Sequence, residues 1–135
     1  MRKTIRSGLI FLVALALTAV SVDKLAIQPA VKKEREKASY AQKLKNQELA
    51  KNYASAGYGW KGEQWECLFG LWTLESRFDN YAKNQRGSSA YGIAQLLGET
   101  DPRPEYQILR GLKYIQHRYK TPCKALQFHL RNGHY

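Results

Sequence analysis

Read from the N-terminus, the polarity of the chain changes character three times. A basic leader, Met1-Arg2-Lys3-Thr4-Ile5-Arg6, opens onto a run from Gly8 to Val22 whose polar members are Thr18 and Ser21, and the run closes at Asp23. This is the layout of an export signal. Sixteen residues lie between Arg6 and Asp23, short of the roughly 20 that a comfortable membrane span needs. Ala19-Val20-Ser21 offers a small-x-small cleavage site. Residues 1–23 therefore read as a signal peptide or a signal anchor, with both fates open. The pattern then turns polar. "KKEREKASYAQKLKNQELAKNYA" holds strong helix formers and no Gly or Pro. Its apolar positions (Val31, Ala38, Ala41, Leu44, Leu49) are too sparse for a heptad. Residues 24–57 are expected to form a solvated helical stalk or a partly disordered linker. Ala56-Gly57-Tyr58-Gly59 breaks the helix and marks a boundary.

The third regime, residues 58–135, carries apolar residues at helical spacing. Leu68, Leu71, Trp72 and Glu75 fall at i, i+3, i+4 and i+7, so one helix over Glu63 to Arg77 places all four on one face. Arg77 to Ser89 reads as loop, with Asp79-Asn80 and Arg86-Gly87-Ser88-Ser89 as turn signals. A short helix is expected from about Tyr91 to Gly98, then a rigid connector at Asp101-Pro102-Arg103-Pro104. Ile108, Leu109, Leu112 and Ile115 predict a helix over Glu105 to Tyr119. Pro122 sits where a last helix would start, running to about Leu130. No alternating pattern reaches six residues, so the expected class is mainly α.

Composition narrows the partners. The chain has 135 residues, with 22 Lys+Arg against 11 Asp+Glu and a formal charge of +11. Such a surface favours polyanions: nucleic acid, anionic lipid or an acidic wall polymer. An export signal argues against nucleic acid, and no nucleic-acid-binding motif is present. The expected location is extracytoplasmic. In an oxidising compartment the simplest state of Cys67 and Cys123 is one disulfide, with two buried free thiols as the alternative. His117, His129 and His134 make no recognisable zinc spacing with these cysteines, so no metal and no cofactor is expected.

Glu75 carries the candidate chemistry. A lone carboxylate on an apolar face has its charged form destabilised, holds a proton near neutral pH and suits general acid catalysis. A Glu that pairs with Arg77 or caps a neighbouring helix is the plainer reading. Gln95 has an amide that both donates and accepts. Gly92 and Ala94 are small enough for close backbone approach. Ser76 could cap or orient the end of the Glu75 helix, and Tyr91 and Tyr114 suit sugar contact or core packing equally.

"LWTLESRFDNYAKN" followed by "GSSAYGIAQL" resembles the Glu-Ser and Gly-x-x-Gln signatures of the lysozyme-like lytic transglycosylases, in particular their small secreted actinobacterial and phage-type members. Gly111-Leu112-Lys113-Tyr114-Ile115, Pro122-Cys123 and the terminal Asn132-Gly133-His134-Tyr135 extend the likeness over about residues 60–135. The resemblance implies a small lysozyme-like helical domain acting as a monomer on a peptidoglycan glycan strand. Glu75 would be the catalytic acid and then base, with Ser76, Tyr91, Gly92, Gln95 and Tyr114 around the substrate. The product would carry a 1,6-anhydro end. A muramidase hydrolysing the same bond and a non-catalytic cationic wall-binding module are the alternatives. One departure stands out: larger relatives place a Tyr against the acid near the end of the domain. Here that stretch reads "ALQFHLRNGHY", with Phe128 or His129 in its place and His134 where a Trp is usual.

Overall fold

The structure, a computed structural model, describes residues 12–135, with side chains from residue 27 onward. The basic leader lies outside the described residues, as do the side chains of the apolar run expected as an export signal. Among the described residues, no helix is long and apolar enough to cross a membrane. The fold is mainly α. Among the described residues, four helices, α1 (Leu12–Tyr58), α2 (Glu63–Glu75), α3 (Pro104–Arg118) and α4 (Pro122–Asn132), accompany one pair of two-residue strands, β1 (Ala90–Tyr91) and β2 (Leu96–Leu97).

The chain divides into two units at Ser39 and Tyr40. In the first, residues 27–39 of α1 are all exposed, and the polar character expected of a stalk is observed there. Lys32 and Glu36 face each other across one turn at 4.0 Å, a fully solvated pair of small energetic weight. The second unit begins 18 residues earlier than the Gly57–Gly59 break suggested. Asn46, Ala50 and Ala54, each four residues after the last, are buried. A face of two alanines and an asparagine has little hydrophobic signal, yet its small side chains let the helix pack closely. The expected stalk over 24–57 therefore holds only up to Ser39.

Within the second unit, α2 buries Trp65, Leu68, Leu71 and Trp72. These meet Ile108, Leu112 and Ile115 of α3, Ala125 of α4, and Phe78, Ile93 and Ala94 from the connecting loops in one core. Helix α3 buries Gln107 rather than Leu109, which is about half exposed. Gly111 is where α3 comes closest: a Cβ there would stand 2.7 Å from both Ala94 Cβ and Trp72 Cζ2. Helices α2 and α4 run side by side in the same direction. Near their starts Cys67 and Cys123 form the expected disulfide, with Cα atoms 4.9 Å apart. Midway, Gly70 faces Leu126, and near their ends Glu75 meets His129.

Two local expectations are corrected. Helix α2 stops at Glu75, not Arg77, because Arg77 and Phe78 both adopt left-handed φ, 54° and 59°. Two adjacent non-glycine residues in that region cost roughly 1–3 kcal/mol each. Full burial of Phe78, whose carbonyl accepts from Asn46 Nδ2 at 2.9 Å, offsets that strain. The helix expected over Tyr91–Gly98 is instead a hairpin. Ala90 pairs with Leu97 and Tyr91 with Leu96, antiparallel, around a turn at residues 92–95. Positive φ at Gly92, Gln95 and Gly98 bends the chain out of helix, and Ile93 and Ala94 at the turn tip plug the core.

Candidate active site

Glu75 closes α2 on the face that carries Leu68, Leu71 and Trp72, and its side chain is 14% exposed. Burial pushes its carboxyl up to about 7. Across the α2–α4 seam, His129 Nδ1 lies 2.9 Å from Glu75 Oε1, its side chain 15% exposed. The oxygen sits off the axis along which Nδ1 would donate, so this is a close contact rather than an aligned hydrogen bond. Burial, and then the charge of His134, holds His129 below its ordinary value. Both shifts favour the uncharged forms. Near neutral pH the imidazole is uncharged, so the contact is not an ion pair.

The other carboxylates near the hairpin and its flanking loops stand in the opposite condition. Glu99 is almost fully buried, which would raise its pKa. The hydrogen bonds from Arg110, at 2.6 and 2.8 Å, and from the backbone of Asp101 and Thr100 outweigh that and hold it low. The Arg103 guanidinium holds Asp101 at about 2. Asp79 pairs with Lys43 at 3.2 Å. Each has a cation of its own, and among the described residues Glu75 has none.

Ser76 fastens the end of α2 to the hairpin turn, its Oγ donating to Ile93 O at 2.7 Å. That is the orienting role open to it from sequence. The turn is held from below by Gln107, a residue no sequence motif marked. Its Oε1 accepts from Ile93 N at 2.9 Å, and its Nε2 donates to Asn80 O and Asp101 O at 3.0 and 2.7 Å. Gly92, at φ 76°, lies directly over that amide, and a Cβ there would overlap it. The glycine thus serves the clamp. We expect Gln107→Leu to cost about 2–3 kcal/mol in urea unfolding, because it strands a buried N–H and two carbonyls. A loss below about 0.5 kcal/mol would show that the turn is not held this way.

The structure separates the remaining expected contacts. Gln95 spends its amide nitrogen on Ala82 O and Gly92 O, at 3.0 and 2.8 Å, so its donor is committed to the loop and only its Oε1 is left for a ligand. Tyr91 lines an open groove of about 470 Å³ beside the hairpin, together with Lys83, Asn84 and Glu99; Glu75 is not in that groove's wall. Tyr114 is half-buried and packs edge-on against Tyr135, with ring centroids 5.6 Å apart. Tyr135 lies near enough to Glu75 for the carboxylate to act on its hydroxyl. Its hydroxyl accepts from Trp72 Nε1 at 3.0 Å and donates to Ala94 O at 2.8 Å. No family model, curated protein or solved structure matches the chain. The chemistry available is that of the groups assembled here: one carboxyl poised near neutrality, a neutral imidazole against it, and a hairpin anchored to the residue that follows.

The sequence left the partner of Glu75 open between Phe128 and His129, although a signal that selects His129 was present. Along parallel helices starting from the Cys67–Cys123 bridge, Glu75 lies eight residues on and His129 six. At 1.5 Å per residue these are about 12 and 9 Å from a common origin, close enough for two long side chains to meet.

Proposed function

We propose that the second unit cleaves the β-1,4 bond between N-acetylmuramic acid and N-acetylglucosamine in peptidoglycan, as a lytic transglycosylase. One observation carries this reading. Glu75 holds a proton near neutral pH in an apolar wall, while Asp79, Glu99 and Asp101 are each neutralised by a cation. A mechanism with one working carboxyl suits such a site. A hydrolase using a pair would need a second free carboxylate within about 5–10 Å.

In the first step the Glu75 carboxyl gives its proton to the glycosidic oxygen. The acetamido oxygen of the muramoyl residue attacks C1 from the opposite face, and the N-acetylglucosamine alcohol leaves. In the second step the Glu75 carboxylate accepts the C6 hydroxyl proton. That oxygen attacks C1, displaces the acetamido oxygen and closes the 1,6-anhydro ring. A pKa of about 7 suits a group that must act in both directions at neutral pH.

The resemblance to the transglycosylase signatures supports the same assignment. The disulfide fits an exported protein, and the +11 charge would concentrate it on an anionic wall. The test is digestion of purified peptidoglycan by the full chain, with product masses read. Anhydro-muropeptides are expected. Reducing ends would assign a muramidase. Binding without release of fragments would leave a wall-binding module and end the enzymatic reading.

A further inference from the structure

We infer that His129 is a positioning residue that gives the two oxygens of Glu75 different roles: as the Nδ1–H tautomer it holds Oε1, so that the working proton travels on Oε2. This rests on the transglycosylase reading of Glu75 and adds to it a division of labour within the carboxyl group.

The contact itself is the starting point, Nδ1 to Oε1 at 2.9 Å between two side chains of nearly equal, low exposure. At that distance a bare nitrogen lone pair facing an ionised carboxylate oxygen would be repulsive. The Nδ1–H tautomer is compatible with both protonation states through which Glu75 must pass. The opposite tautomer would draw the acid proton into an O–H···N bond and hide it from substrate. The oxygen lies off the donor axis in the free protein. Alignment requires the imidazole to turn about its soft outer torsion, and such catalytic hydrogen bonds commonly tighten when substrate arrives.

The neighbours leave this task to His129. Tyr135, from the C-terminal segment, lies near Glu75, but its hydroxyl proton is committed to Ala94 O. Tyr114 and Tyr119 pack on Tyr135 rather than on the carboxyl. From α3, Arg118 lies over the rings of Tyr114, Tyr119 and Phe128, 5.6 to 6.0 Å from their centroids. From the C-terminal segment His134 packs against Phe128; burial first, and then the charge of His134, holds the His129 imidazole toward its neutral form. A neutral donor is what the site requires. An imidazolium would draw the Glu75 proton off by stabilising the carboxylate, and an apolar residue would leave both oxygens equivalent.

The experiment compares the full-length wild type with His129→Leu, which keeps bulk and loses the donor, and His129→Asn, whose side-chain NH2 stands near the position of Nδ1. Removing a hydrogen bond to a group that carries charge during turnover is expected to lower kcat on purified peptidoglycan about 10- to 100-fold, with KM little changed. The Leu variant should also move the alkaline limb of the pH profile upward, because the donor that favoured the carboxylate is gone. His129→Asn should restore both toward wild type. NMR supplies the readout that needs no activity. The Glu75 carboxyl carbon should titrate higher in His129→Leu than in the wild type or His129→Asn, and the wild-type ring nitrogens should report the Nδ1–H tautomer. An unchanged kcat and Glu75 titration in His129→Leu, equal damage in both variants, or a dominant Nε2–H tautomer would each overturn the inference. If the Leu variant does not fold, the Asn variant and the wild-type tautomer decide. A wild type that releases no glycan fragments refutes the enzymatic reading instead, and the carboxyl titration still judges the pairing.

Discussion

We expect Glu75→Gln to abolish the proposed glycan cleavage and to make the protein more stable. Both halves follow from the same burial. The substitution keeps shape and removes the transferable proton, and Glu75 is used in each of the two proposed steps. General acid–base catalysis by one group contributes about 10²- to 10⁴-fold. A loss of at least about 10³-fold is expected, close to 4 kcal/mol of transition-state stabilisation. Binding to peptidoglycan, which needs no proton transfer, should survive. Residual cleavage above about a tenth of wild type would remove Glu75 from the catalytic role.

The stability half has a defined sign. The carboxyl is raised from 4.5 to about 7 in the folded protein. Below about pH 4.5 it is neutral in both the folded and unfolded chain, so ionisation costs nothing. Between pH 4.5 and about 7 the unfolded chain ionises first, and wild-type stability falls. Above about 7 the penalty is complete and constant. The upper bound is about 3.5 kcal/mol, from roughly 1.4 kcal/mol per pK unit, less whatever the remaining solvent contact screens. Glu75→Gln never bears this penalty. Urea unfolding at pH 4 and pH 8 should show a gain for the variant over wild type that appears only at the higher pH. Equal gains at both pH values would mean that the carboxyl is not held protonated by its surroundings.

Breaking the bridge between α2 and α4 is the second large effect. Cys67 and Cys123 are separated by 56 residues, and closing a loop of that length stabilises by about 4 kcal/mol in the chain-entropy model. For a unit of this size that is a drop of about 15–30 °C in Tm. The Cys67→Ala/Cys123→Ala double variant and the wild type in reductant should unfold at nearly the same lowered temperature. Reductant should do nothing further to the variant. A wild type indifferent to reductant would show that the bridge is not formed in solution.

The readable part of the fold was the part built on strong apolar periodicity. Leu68, Leu71 and Trp72 fixed the face of α2, and with it the inward direction of Glu75. Ile108, Leu112 and Ile115 did the same for α3. What escaped was written in weak or polar letters. Strands of two residues are too short to alternate, so the hairpin gave no periodic signal, and Gln95 enters positive φ with its own amide bonding back to the loop. Asn46 and Gln107 look like solvent-facing polar residues in one dimension. In three they satisfy buried loop carbonyls and, for Gln107, the Ile93 N–H. His129 was visible only as one of two candidates, because the facing registers of α2 and α4 depend on the bridge at their other ends.

The close fit of α1 in the core limits how this protein can be dissected. Cutting the chain in the Gly57–Gly59 bend, the most obvious seam in the sequence, would peel away Ala50, Ala54 and Asn46. The Phe78 carbonyl and the Asn80 side chain would lose a donor. The two left-handed residues that end α2 would then lose their counterweight just beyond Glu75. A piece that keeps this compact unit whole begins at Tyr40.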